Sequence, residues 1–287
     1  IWTGALGRVN YSNFVDNTAK NNGGAIYLTG SSDGLCENTT FDNCYFGSNE
    51  AGLNGGAIDW YRGAFNGTIT NSIFENNIAN RSGGAIHWSG YYGTVSNSNF
   101  TGNKATGEVI SDIGGVLGGG DGGAVIWVGS HGIIKDNCNF INNFAKYRGG
   151  AVFLHGNDTE NCTNTTVTNC NFEDNVAGLN GGAIDWQHGT TYGNLTYSNF
   201  TNNTAWRSGG AVYWNGLYGD ILYCIFDDNH AIGNVTAHDR PDVAVYSNEG
   251  GHGGAVIWTG SHGEVYYSTF VNNTAKNNGG AVYLQSG

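Results

Sequence analysis

Methionine is absent from this sequence, proline occurs once, and lysine and arginine together number only 11. Against 23 acidic residues this leaves a net charge of -12. Nucleic-acid phosphates need a basic surface, so nucleic acid is not expected as a partner. Apolar runs extend over only a few residues, so no stretch is long enough to span a membrane as a helix. Any membrane attachment is expected from parts outside this segment. Six cysteines are too few for a disulfide scaffold, and no C-x-x-C pair signals zinc. Charged residues make up only 12%, while 39% hydrophobic and 13% aromatic content must be buried somewhere, which excludes a disordered chain. Helical periodicity is also missing throughout.

What the chain does have is a repeat. Phe-x-x-Asn-x-Ala occurs at Phe14, Phe46, Phe74, Phe100, Phe140, Phe172, Phe200, Phe226 and Phe270. Each copy is followed by Gly-Gly-Ala and a branched apolar residue, with GGA starting at Gly23, Gly55, Gly83, Gly122, Gly149, Gly181, Gly209, Gly253 and Gly279. The intervals between GGA motifs run 32, 28, 39, 27 and then 32, 28, 44, 26, so a block of four repeats is itself duplicated. Two intervals are lengthened by insertions, Thr106–Asp121 and Ile232–His252. The chain starts inside one repeat and ends inside another. With no methionine, residues 1–287 are expected to form a single repeat array within a longer polypeptide.

Within a repeat, the residues after GGA alternate. Val125 and Trp127 are two apart and share a strand face, and the same two slots are apolar in every copy. The residue between them varies (Tyr27, Asp59, His87, Ile126, Phe153, Asp185 and so on), which marks it as outward and exposed. A Gly-rich turn, a second short strand and a third carrying the Phe complete the unit, with Gly, Asn and Asp at the corners. Three short strands in 26 to 32 residues predict one turn of a parallel β-helix, an all-β solenoid of about nine coils. Asn17, Asn49, Asn77, Asn103, Asn143, Asn175, Asn203, Asn229 and Asn273 should then form a structural ladder, hydrogen-bonded from coil to coil and to turn backbone groups. The GGA glycines should serve a corner with positive φ and close backbone approach.

Cys36 and Cys44, like Cys162 and Cys170, lie eight apart in equivalent repeats, which suggests two local disulfides with Cys138 and Cys224 left free. The alternative is plain packing. Cys44, Cys138, Cys170 and Cys224 share a slot that holds Ser in the other repeats, and Cys138 and Cys170 would be neighbours. There are 13 Asn-x-Ser/Thr sequons, and glycans are expected at outward ones, Asn99, Asn199 and Asn272 first, with Asn10, Asn38 and Asn66 as further candidates.

GGA[IV] paired with F-x-x-N resembles the repeat signature of chlamydial polymorphic outer-membrane proteins. The Asn- and Thr-rich form here, as in FVNNTAKNNGGAVYL, resembles the adhesin-like surface proteins of methanogenic archaea. The resemblance covers all nine repeats. It implies a right-handed parallel β-helix at the cell surface or outside the cell, presenting loops to a surface glycan, another protein or a second copy of itself. It carries no catalytic residue. A stalk, sheath or filament subunit joined end to end is the first alternative, and a polysaccharide lyase or hydrolase the second. The enzyme reading is disfavoured, because Asp59 and Asp185 are four coils, about 19 Å, apart and no basic cluster is present. GGGDGG at Gly118 occurs once and lacks a calcium-repeat period. No cofactor or metal is expected. Binding is expected from the second insertion, with His238, Asp239, Arg240 and Asp242, or from the ladder Tyr27, Asp59 and His87.

Overall fold

The structure is a computed structural model that describes residues 1–30, 36–61, 64–107, 119–156, 162–233 and 250–285. Its strands stack into four nine-stranded sheets plus one two-stranded sheet. Every strand pairs in parallel, and in register, with its counterpart one repeat away, as in Phe46 opposite Phe74 and Phe74 opposite Phe100. The fold is therefore a parallel β-helix of nine coils. Each coil has four sides rather than three. In the third coil they are Thr68–Thr70, Ile73–Glu75, Ile78–Ala79 and Ile86–Trp88. We call the four sheets the Thr, Phe, Ala and Trp sheets. The two-residue Ala side was hidden in the sequence, since two residues are too short to show an alternation.

Stacking of identical side chains fills the interior. Phe46, Phe74, Phe100, Phe140, Phe172, Phe200 and Phe226 are buried, with neighbouring rings stacked nearly parallel, their centroids 4.7 to 4.8 Å apart. Phe14 and Phe270, on the end coils, are half-buried. The Asn ladder forms as expected. Asn77 Nδ2 donates to Asn103 Oδ1 at 2.9 Å and to the Phe46 carbonyl at 3.0 Å, while its Oδ1 accepts from the backbone N–H and the Nδ2 of Asn49. Each interior Asn thus ties its corner to the coils on both sides.

The two GGA glycines divide the expected roles. Gly55 has φ +64°, whereas Gly56 has ordinary φ but would place a Cβ 2.0 Å from the Gly84 carbonyl oxygen. The first permits the corner and the second permits the coils to approach. A further glycine is coupled to the Trp column. A Cβ on Gly67, Gly93 or Gly132 would fall 2.1 to 2.3 Å from the ring of Trp60, Trp88 or Trp127. In the two interior coils where Leu28 and Leu154 replace Trp, the glycine is replaced by the buried Thr39 and Thr165.

The cysteines follow the packing reading. All six are free and buried, which overturns the expected Cys36–Cys44 and Cys162–Cys170 disulfides. The reason is geometric. The extended strand Thr40–Asp42 runs between Cys36 and Cys44, which places them at opposite ends of one side of the coil. Cys36 and Cys162 sit against the Thr39 and Thr165 hydroxyls, and burial pushes the Cys162 thiol up to about 12. Cys138 and Cys170 are instead register partners on adjacent coils. Hydrogen bonding between them lowers the Cys138 thiol and raises that of Cys170.

Candidate functional site

The residue between the two inward positions of each Trp-sheet strand points away from the core, as the alternation requires. It is nevertheless not exposed, and this corrects the sequence expectation. Asp59 and Asp185 have no accessible surface, and Ile126, Phe153 and Ile257 are buried. Ile126, Val128 and Phe153 form a second apolar cluster, separate from the main core. Both faces of the Trp sheet are therefore covered over the middle coils, as for strands buried on two sides. Variation at this slot reflects a second packing environment rather than solvent.

Within that environment, charged groups are paired. His87 Nδ1 lies 2.7 Å from Asp59 Oδ1 on the adjacent coil, with the imidazole 12% exposed. Arg148 makes a two-pronged contact with Asp121, Nε to Oδ1 and Nη2 to Oδ2, both at 2.9 Å. Its guanidinium lies over the Phe153 ring, 4.6 Å from the centroid. Burial alone would lower the Arg148 pKa, but the attraction of Asp121 outweighs it and the guanidinium stays charged. Asp185, one coil beyond Phe153, accepts a hydrogen bond from Gln187 at 2.8 Å through Oδ1, while its Oδ2 has no partner. Burial, only partly offset by Arg148, raises its carboxyl pKa well above the usual carboxylate range. Between these pairs lies a recess of about 240 Å³, lined by Arg81, His87, Asp121, Ile126, Arg148 and His155 among others.

Of the sequence candidates, the structure brings Tyr27, Asp59 and His87 together on three successive coils, with Tyr27 half-buried opposite Asp59. His238, Asp239, Arg240 and Asp242 lie outside the described residues. Asp121, Arg148, Phe153 and His155 were missed. Their signal was present in the duplication: at the equivalent positions of the second block stand His252, Asn278, Tyr283 and Gln285, while the flanking Arg81/Arg207 and Ile126/Ile257 are unchanged. The scaffold is kept and the pocket chemistry differs.

The insertions leave the coil by equivalent glycine necks. Gly107 and Gly120 both have positive φ and approach so closely that a Cβ on either would lie 3.1 to 3.2 Å from the other's Cα, and Gly233 and Gly251 repeat the arrangement. The sequon residues Asn10, Asn38, Asn66, Asn99, Asn199 and Asn272 are exposed. Asn99, Asn139, Asn171 and Asn199 form a second, external ladder. In it Asn199 Nδ2 donates to Asn171 at 3.1 Å, whereas Asn99 only accepts, from Asn139 at 2.8 Å. Among the described residues, no group of three or more His, Cys, Asp or Glu is placed to hold a metal ion, and no helix is long and apolar enough to cross a membrane.

Three segments, residues 11–29, 71–87 and 267–285, match the model of the Chlamydia polymorphic membrane protein repeat. Each match runs from the Phe strand through the Asn and GGA corners to the Trp-sheet strand. No curated protein and no solved structure matches the chain. The chain is therefore a parallel β-helix containing repeats similar to those of the Chlamydia polymorphic membrane proteins.

Proposed function

We propose that this chain is an adhesin-like rod, displayed at a cell surface or outside the cell, that presents side-chain recesses and loops to a glycan. The observation that carries this reading is the position of the two insertions. They leave the same corner of the helix four coils apart, about 19 Å by strand spacing, beside the covered outer face of the Trp sheet. A rigid scaffold with variable loops on one side is the usual arrangement of a recognition surface. The repeat similarity supports a surface location, and the net charge of -12 suits an acidic, soluble display element better than a polyanion binder. Glycans on Asn99 and the other exposed sequons fit the same compartment, with Asn99 preferred over Asn199 because its amide nitrogen donates no hydrogen bond within the external ladder. An enzymatic role is not favoured, because the carboxylates of the outer face are engaged in pairs or buried.

The test is adhesion of the purified segment to cells and to immobilised glycans, with and without the second insertion. Excising residues 234–249 at the Gly233–Gly251 neck should abolish adhesion while circular dichroism shows an intact β-helix. Undiminished adhesion by the folded deletion variant would remove that insertion from the binding surface. Failure of the intact segment to adhere to any surface would overturn the reading.

A further inference from the structure

The recess between Asp121, Arg148 and His87 has a chemistry that selects among glycans, and the inference drawn from it rests on the adhesin reading. We propose that this recess is a binding site for one neutral hexose residue, with the Asp121–Arg148 fork gripping a pair of adjacent hydroxyls. Three observations point this way. The first is size: about 240 Å³ lies just below the roughly 300–1,000 Å³ range of drug-sized sites, which leaves room for one sugar ring but not for a chain. The second is the pairing of charge. Arg148 is neutralised by Asp121 and His87 lies against Asp59, so these two basic side chains of the recess already have carboxylate partners. An acidic sugar would compete with Asp121 for Arg148 and would add negative charge to a chain of net charge -12. A hydroxyl brings none. Each hydroxyl both donates and accepts, so adjacent ones can donate to a carboxylate while accepting from the guanidinium. Ile126 and Val128 supply apolar surface for the C–H face of the ring.

The third observation is internal. The second block keeps Arg207 and Ile257 but has His252 for Asp121, Asn278 for Arg148 and Gln285 for His155, so it lacks the fork. The duplication therefore supplies both the site and its natural knock-out.

The decisive variant carries Asp121→His with Arg148→Asn, which installs the residues that the same coil position already tolerates in the second block. Removing both partners also avoids leaving one charge buried alone. Binding of methyl hexopyranosides and neutral oligosaccharides to the whole segment would be measured by calorimetry, with oligogalacturonate as the acidic comparison. The expected result is saturable binding of a neutral hexoside, little changed by salt, and at least tenfold weaker in the double variant, whose circular dichroism matches the parent. Equal binding by the folded double variant, absence of binding to every neutral hexoside tried, or tighter and strongly salt-dependent binding of oligogalacturonate would each overturn the proposal. Cell adhesion measured on the same variant separates the two levels. Adhesion that persists without the fork leaves the adhesin reading standing and removes only this site.

Discussion

At the scale of single residues, the interior is a set of exchangeable pairs. Trp needs a glycine facing its ring, while Leu accepts Thr in the same place, and the chain uses both solutions. Gly132→Thr alone would drive a side chain into the Trp127 ring and should cost about 1–3 kcal/mol or more, as overpacked cores do. Trp127→Leu alone should open a cavity of similar cost. The double variant recreates the Leu154–Thr165 pair and should be much less destabilised than the sum, so that denaturant melts give a coupling of at least 1 kcal/mol. Additive losses would show that the pairing is incidental. Asp185 behaves differently because burial opposes its charge. Its raised pKa means that the folded chain holds a proton which the unfolded chain has released, so its contribution to stability falls as pH rises above the unfolded value of about 3.9. Asp185→Asn should therefore stabilise the protein at pH 7 and leave it little changed below about pH 4, as read from thermal melts across pH. Destabilisation at pH 7 would mean that the Arg148 attraction dominates the burial term.

At the scale of the element, each coil side is only two to four residues long and could not persist alone. The ladders make these sides cooperative. Asn143 donates its N–H and Nδ2 to the Oδ1 of Asn175 and its Nδ2 to the Phe100 carbonyl, while its own Oδ1 accepts from the N–H and Nδ2 of Asn103. Asn143→Ala would orphan several buried groups, each costing about 1–3 kcal/mol, so a loss of roughly 3 kcal/mol or more is expected, with amide exchange accelerated in coils four to six. An effect confined to one coil would argue against cooperative stacking. The corners of these elements carry aromatic side chains at positive φ, such as Tyr197, Tyr223 and Tyr267, which stack on one another at 5.0 Å in the exposed exterior. Stacking between coils offsets part of the cost of positive φ at these residues.

At the scale of the molecule, the coils make a rod of roughly 40 Å by strand spacing. Its parallel order means that excisions at one corner leave the stacking untouched. Joining Gly107 to Gly120 by removing residues 108–119 should keep the β-sheet circular dichroism and shift the melting temperature by only a few degrees, since long surface loops add little closure entropy per residue. A collapse of the fold would show that this insertion is a structural part of the outer face.

How much of this was legible follows from range. A ninefold repeat with one strand period fixes the coil, because identical residues at fixed spacing can stack in only a few ways. The columns of Phe, Trp and Asn were therefore readable from the sequence alone. So was the common corner of the two insertions. The burial of Asp59, the pairing of Asp121 with Arg148 and the separation of Cys36 from Cys44 were not. The first depends on what covers a strand's second face, which a period of two does not encode. The other two depend on which coil and which side of it a residue reaches, and only the stacked structure decides that: Asp121 and Arg148 are 27 residues apart yet share one hydrogen-bonded fork, whereas the strand between Cys36 and Cys44 keeps two near neighbours in sequence apart in space.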